Sequence, residues 1–320
     1  MSAMDQEIGE RFVAYHADTV DVAKSLPDHS VDFSVFSPPF ASLYVYSNSP
    51  RDMGNVRTHD EFFAHYEFLI KEQARVMKHG RLVAIHCMLM PTSKTRDGHI
   101  GLRDFRGEII RAYEKHGFIF HSEVTIWKDP VTAMQRTKAL GLLHKTIRKD
   151  SSMSRQGIAD YLVVMRTPGD NVAPIAHSHD SFPVERWQRY ASPVWATLDG
   201  IDDEGFAICR ANTVPSDDTS AINPSDTLQY RSAREHDDER HVCPLQLPVI
   251  RRAVRLWSNP GDVVWSPFMG IGSEGYVAIE EGRRFIGAEL KKSYFDQAVK
   301  NLRFAQSGTP QRSLFAEAAE

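Results

Sequence analysis

The chain has 320 residues, of which 42% are hydrophobic and 25% charged. That balance excludes a disordered or fibrous chain and suits one large α/β domain with an inserted module, or two domains. With 38 Lys and Arg against 42 Asp and Glu, the net charge is -4, so any surface for nucleic acid must be local.

The three cysteines, Cys87, Cys209 and Cys243, are dispersed with no CxxC pair, and the fourteen histidines show no HxxxH or HxxEH spacing. Neither a disulfide framework nor a bound metal is expected. The N-terminus is acidic where a secretory leader would be basic, and no run reaches 18 apolar residues; a cytoplasmic location is expected.

In chain order, apolar runs at 12–16, 31–36, 82–86, 118–127 and 161–165 read as strands. Between them, Phe62, Phe63, Tyr66, Leu69, Ile70 and Val76 or Met77 recur at three- and four-residue spacing. They predict a helix from His59 that Gly80 closes. A second helix over 104–117 ends on Gly117. Strands alternating with helices predict a mostly parallel sheet covered on both faces. His16, His86 and His121 read as satisfied core or edge residues of those strands. From 171 to 226 the rhythm dissolves into Pro, Ser, Asp and His, with Trp187, Tyr190 and Trp195 isolated. These aromatics read as the small core of an inserted module. A helix over 244–258 restores the rhythm, followed by strand, glycine loop, helix, strand and helix, and a polar tail after Ala305.

Two stretches carry chemistry. "DFSVFSPPFASLY" runs an apolar strand into Ser37, Pro38, Pro39 and Phe40. Consecutive prolines fix φ twice and remove two backbone donors, so the strand stops at Ser37. Ser37 and Phe40 then stand at the strand's carboxyl end, where open α/β sheets hold ligands. "WSPFMGIGSEG" follows a second strand, and its Gly270, Gly272 and Gly275 spell G-x-G-x-x-G. Glu289 ends the next strand, at the spacing of an acid that accepts from ribose hydroxyls. A glycine turn serving packing alone is the plainer alternative, and an NAD(P) oxidoreductase is another. Only 45 residues follow Gly275, however, too few for a second dinucleotide half. The remaining strands must come from the first half of the chain, as in a circularly permuted sheet binding one adenosyl group.

Together "SPPF" (37–40) and "FMGIG" (268–272) resemble the catalytic and cofactor motifs of the β-class, permuted amino-methylating DNA methyltransferases. These methylate cytosine N4 or adenine N6 with S-adenosylmethionine. The block at 234–275 is similar to phage and prophage members. The resemblance covers roughly four-fifths of the chain on the element reading above. It implies a Rossmann-like S-adenosylmethionine-dependent α/β fold, mostly parallel and circularly permuted. The catalytic half would span 1–170, an inserted target-recognition region 171–230, the cofactor half 231–305 and a flexible tail 306–320.

The resemblance also implies roles. Phe268, Gly270, Gly272 and Ser273 would contact the cofactor, Glu289 its ribose and Asp18 its adenine, with Gln246 and Pro248 closing over the methionine end. The departure is Ser273-Glu274-Gly275, where relatives carry small hydroxyl residues. Ser37, Pro38, Pro39 and Phe40 would be catalytic. The Ser37 hydroxyl and the Pro38 carbonyl would accept the hydrogens of an exocyclic amine, and Phe40 would stack on the base. The base would be flipped out of duplex DNA and methylated by direct in-line transfer. Serine in the first position leans towards cytosine N4, with adenine N6 as the alternative and an RNA or protein amine as a lesser one. No cysteine follows a proline, which excludes the covalent cytosine C5 class. A separate cognate restriction endonuclease would be a partner chain.

Within 127–155, Lys128, Arg136, Lys138, Lys145, Arg148, Lys149 and Arg155 face only Asp129 and Asp150, a net +5. In an acidic chain this reads as a phosphate-binding segment, with Arg136, Lys138, Lys145, Arg148 and Lys149 as DNA contacts. Arg231, Arg234 and Arg240 add to it or pair with the acids between them.

Overall fold

The computed structural model describes residues 5–40, 53–56, 58–128, 130, 140–195, 198–201, 207–209, 222, 226–229, 233 and 244–308. From the first half come β1 (Asp5–Ile8), β2 (Phe12–His16), α1 (Thr19–Ser25), β3 (Val31–Phe36), α2 (His59–Val76) and β4 (Met77–Met88). Then follow α3 (Phe105–Lys115), β5 (Ile119–Ile126), α4 (His144–Lys149), β6 (Asp160–Arg166), α5 (Val184–Tyr190) and β7 (Val194–Trp195). The second half adds α6 (Leu247–Trp257), β8 (Val263–Ser266), α7 (Ser273–Glu280), β9 (Arg284–Glu289) and α8 (Lys292–Ser307).

These strands form one nine-stranded sheet in the order β1-β2-β9-β8-β3-β4-β6-β5-β7. Strands β2, β9, β8, β3 and β4 are mutually parallel, while β1 and β6 run antiparallel to their neighbours. All six residues of β3 are buried, as a central parallel strand requires. One face carries α6, α7 and α8 over Phe33, Val35, Leu162 and Phe285. The other carries α1, α2 and α3 over Phe36, Val83, Ile85 and Met165.

The second half slots β9 and β8 between β2 and β3, so the sheet closes only when both halves meet. At the base of that seam Arg81 is 1% exposed and donates to Asp32 at 3.2 Å and to Asp262 at 3.1 Å. Lys78 adds a 2.6 Å pair to Asp32, whose other oxygen accepts from the Val263 N–H at 2.9 Å. Further up, the Ser34 hydroxyl donates to the Trp265 carbonyl at 2.9 Å.

Two expectations are corrected. The helix expected to reach Gly80 stops at Val76, and Gly80 lies inside β4 with φ of +67°. Pairing of Met77 with Val31, and of Leu82 to Ile85 with β3, overrides the helical period. The register shifts between those two contacts, and the glycine lies within that shift. The aromatics of the insertion do not form a core of their own. Val194 and Trp195 pair with Thr125 and Ile126 and cover the edge of β5, and Trp195 joins the main core. Arg252 of α6 lies over the Tyr190 and Trp195 rings at 5.2 and 5.3 Å, whereas Trp187 remains 55% exposed. His16 is a satisfied core residue, 3.0 Å from the Leu290 carbonyl and stacked on Phe295, and His121 is exposed beside Ser122. Among the described residues no helix is long and apolar enough to cross a membrane.

Replacing Arg81 by Met removes the bridge from Asp32 to Asp262 and leaves Asp32 to Lys78 and the Val263 N–H. The variant should lose stability, by less than the roughly 3–5 kcal/mol of a wholly unpaired buried charge, read as a lower urea midpoint.

Candidate active site

The chain leaves β3 towards α2 on one face and leaves β8 towards α7 on the other. The carboxyl ends of these neighbouring strands therefore flank a topological switch point, the place where such sheets open a crevice. Ser37 follows β3 there, and the glycine loop follows β8.

The loop is built for close approach. Gly270 and Gly272 adopt φ of +54° and +86°, and a Cβ on Gly272 would stand 3.2 Å from that of Ala298. Gly275 lets α7 settle on the sheet, since a Cβ there would meet Leu302 and Phe285 at 2.5 Å. Glu289, at the end of β9, accepts from the Gly270 N–H at 2.9 Å and from the Lys291 N–H at 2.8 Å. Its carboxylate fixes the loop through these two backbone contacts. Asp18 caps α1 by accepting from the Val20 and Asp21 N–H groups at 2.9 and 3.3 Å. The Ala17 N–H donates to the Glu289 carbonyl at 3.1 Å, which holds the two acids at neighbouring strand ends. Gln246 is the N-cap residue of α6, followed by Pro248 in its first turn.

Around this edge the side-chain oxygens of Thr19, Gln246, Ser266 and Ser273 are buried without a hydrogen-bond partner among the described residues. Each such orphan costs free energy unless a ligand satisfies it. Four of them beside a positive-φ loop and a ribose-type acid fit the adenosyl and amino-acid groups of S-adenosylmethionine. The cofactor-site residues expected from the sequence thus gather at one edge of the sheet. Glu274, the departure from the family pattern, is buried, and burial pushes its carboxyl up to about 8.

On the β3 side, Phe268 packs against Phe36 and Tyr66, with ring centroids at 5.8 and 6.3 Å. Phe40 leans on Phe105 at 6.1 Å. His86 is the buried, satisfied strand residue expected from the sequence, and its partners place it beside Ser37. The register pairs Phe36 with Ile85, which brings Ser37 level with His86. Ser37 Oγ lies 2.7 Å from His86 Nδ1, and His86 Nε2 lies 3.0 Å from Asp160 Oδ2. Lys128 Nζ closes on the same carboxylate oxygen at 2.5 Å. Burial opposes the Asp160 charge, yet His86 and Lys128 hold its carboxyl below the usual range. Sequence reasoning named neither His86 nor Asp160 as a site residue, and counted Lys128 only within the basic segment. The available signal was a polar residue ending an apolar parallel strand beside the catalytic one.

Of the basic segment, Lys145, Arg148 and Lys149 are exposed on α4. Arg136 and Lys138 lie outside the described residues, as do Arg231, Arg234 and Arg240.

The DNA methylase family N6_N4_Mtase matches residues 31–300. The chain belongs to this DNA methylase family. The methylase is 26% identical over 298 residues to the type II methyltransferase M.BglII of Bacillus subtilis, covering 92% of this chain and 69% of that one. It is 36% identical over 81 residues to the DNA adenine methyltransferase YhdJ of Escherichia coli, covering 25% of this chain and 28% of YhdJ. Its fold is similar to that of TTHA0409 of Thermus thermophilus complexed with S-adenosyl-L-methionine. There the TM-score is 0.62 at 20% identity, over 94% of this chain and 98% of that one. It is also similar to the cytosine-N4-specific PvuII DNA methyltransferase, with a TM-score of 0.59 at 13% identity, over 96% and 98% of the two chains. Both likenesses concern the fold. The methylase thus has the mostly parallel, Rossmann-like sheet expected from its sequence.

The raised carboxyl of Glu274 has a signed consequence. From its usual 4.5 up to about 8, the folded methylase holds a proton that the unfolded chain releases. Stability therefore falls with rising pH through that window, by at most roughly 1.4 kcal/mol per pH unit. Glu274→Gln removes the titration. The variant should melt close to the unmodified protein at pH 5 and clearly above it at pH 8, as followed by circular dichroism.

Proposed function

We propose that this methylase transfers a methyl group from S-adenosylmethionine to the N4 amine of a cytosine flipped out of duplex DNA. The observation that carries the reading is Ser37, followed by Pro38, at the carboxyl end of β3 across the seam from the glycine loop. Ser37 Oγ and the Pro38 carbonyl accept the two hydrogens of an exocyclic amine. Such an amine is a poor nucleophile because its lone pair is delocalised into the ring, and two acceptors favour the pyramidal nitrogen that attacks. Pro39 completes the rigid turn, and Phe40, backed by Phe105, offers a face to the base.

When bound, S-adenosylmethionine supplies the electrophilic sulfonium methyl. Phe268, Gly270, Gly272 and Ser273 form its cradle, Glu289 takes the ribose hydroxyls, Asp18 stands by the adenine, and Gln246 with Pro248 covers the amino-acid end. Lys145, Arg148 and Lys149 supply phosphate contacts, which carry affinity but no sequence information. A restriction-linked role, with a nuclease on a separate chain, is supported by the type II designation of M.BglII. Adenine N6 is the second reading, favoured by the 36% identity to the adenine methyltransferase YhdJ over 81 residues.

Incubation of unmethylated duplex DNA with labelled cofactor, followed by nucleoside mass spectrometry, decides the base. N4-methylcytosine should appear, and Ser37→Ala should slow its formation by about 10²-fold or more while cofactor binding persists. N6-methyladenine alone would replace the first reading by the second. Glu289→Ala should weaken cofactor binding by roughly 10- to 100-fold in calorimetric titration, the loss of charge-assisted hydrogen bonds.

A further inference from the structure

The amine reading leaves one proton unassigned. An exocyclic amine that has taken a methyl group carries four bonds and a positive charge, and it must release a proton to become product. Nothing in the Ser37 and Pro38 pair holds that proton, because a carbonyl and an alcohol are both weak bases.

The geometry beneath Ser37 supplies what is missing. His86 is buried and makes one contact through each ring nitrogen, with Ser37 Oγ at 2.7 Å and Asp160 Oδ2 at 3.0 Å. Asp160 is 2% exposed, is held in its charged form, and also contacts Lys128. A carboxylate only accepts, so His86 Nε2 carries the hydrogen in that contact. In the neutral ring Nδ1 is then a bare acceptor, and the Ser37 hydroxyl donates to it.

We propose that His86, oriented by Asp160, makes the Ser37 oxygen an acceptor-only group towards the target amine and takes up the proton that the amine sheds. This rests on the amine-methylation reading above. The hydroxyl hydrogen is committed to His86, so both lone pairs of Ser37 Oγ are free for an amine hydrogen. As the nitrogen–methyl bond forms and the sulfur–methyl bond breaks, the electron pair of the latter stays on sulfur. The amine then passes one proton to Ser37 Oγ while the Ser37 proton moves to His86 Nδ1, leaving neutral methylated amine, neutral serine and an imidazolium against the Asp160 carboxylate. His86 and Asp160 are thus positioning residues that act through Ser37.

The same wiring makes Ser37 sensitive to acid. A doubly protonated His86 donates through Nδ1, which reverses the Ser37 hydroxyl and points its hydrogen at the amine. Among the described residues, the other ionisable groups near the end of β4 include Glu123 of β5 and Arg106 of α3, paired at 3.0 Å, with Tyr161 of β6 beneath Arg106, Asp104 and the buried Cys87 thiol. Burial pushes that thiol well above its ordinary range, so it stays neutral across the pH range of interest.

Two measurements on the full chain test this. In the ¹⁵N-histidine-labelled protein, long-range ¹H–¹⁵N spectra at pH 8 should show His86 with Nδ1 bare and Nε2 protonated. The Nδ1 signal should move in Ser37→Ala, and His86→Asn provides the assignment. A His86 protonated at Nδ1 overturns the proposal whatever the activity. Single-turnover methyl transfer at saturating cofactor and DNA should decline on acidification along a one-proton limb. In His86→Asn, which keeps an acceptor near Ser37 but no base, the plateau rate should fall by about 10²-fold or more and the acid limb should vanish, with cofactor affinity within about twofold of the unmodified protein. An acid limb unchanged in His86→Asn overturns the proton-accepting role. Should that variant fail to fold, Asp160→Asn gives the second test: a mixed His86 tautomer with a slower rate supports the relay, and an unchanged tautomer overturns it. If the bare Nδ1 is found but no acceptor amine in DNA is methylated, the failure lies with the amine reading and takes the proton-accepting step with it.

Discussion

The pairing of β8 with β3 is the constraint on which the site depends. Only two residue pairs define it, Val264 with Phe33 and Trp265 with Ser34, yet it joins segments 231 positions apart and sets Ser37 beside the glycine loop. Backbone pairs alone would hold so short a ladder weakly. The buried Arg81 reinforces it by bridging Asp32 of β3 and Asp262 ahead of β8, while the Ser34 hydroxyl reaches the Trp265 carbonyl. Buried charges of this kind gain little over an apolar seam in net stability, but they tolerate only one register. Register is what this site requires, because a slip by one residue would turn Ser37 away from the crevice.

The rest of the molecule divides between rigidity and unsatisfied polarity. On one side a buried chain runs from Tyr66 through Tyr113 to Gln73, with contacts of 3.1 and 2.5 Å. It fixes α2 and α3 behind β3. On the other side, the orphaned oxygens of Thr19, Gln246, Ser266 and Ser273 cost stability that a bound ligand returns. The methylase is thus stiff behind β3, where Ser37 stands, and polar but unsatisfied around the glycine loop. Arg252, gripped between the Tyr190 and Trp195 rings, ties the start of the inserted segment to α6, the helix that Gln246 opens.

Much of the fold was legible because strong local signals agreed with one another. The strands at 12–16 and 31–36 appear within those bounds, the prolines after Ser37 end the catalytic strand, and the glycines of the loop take the positive φ that the motif demands. Local signals failed where tertiary pairing decided the outcome. Val76 and Met77 fit the helical period equally well, and only the partner Val31 shows that Met77 belongs to a strand. Trp195 looked like the core of a separate module because nothing in its neighbourhood announces that it pairs with Ile126. His86 was invisible as a site residue for the same reason: its meaning lies in its register with Ser37 and in Asp160 across a third strand, 74 positions away.

The interleaved order of the sheet also bears on how the chain acquires its structure. Strands β2 and β3 are made early, but they are never neighbours; the gap between them waits for β8 and β9. At ordinary synthesis rates of about 5–20 residues per second, β3 stands without its inner partner for roughly 10–50 s. During that interval two apolar strands present unpaired edges, the feature that invites wrong pairing between nascent chains. Permutation places the glycine loop and its two flanking strands after the strands they must join, and with them the moment at which the sheet first becomes safe from its neighbours.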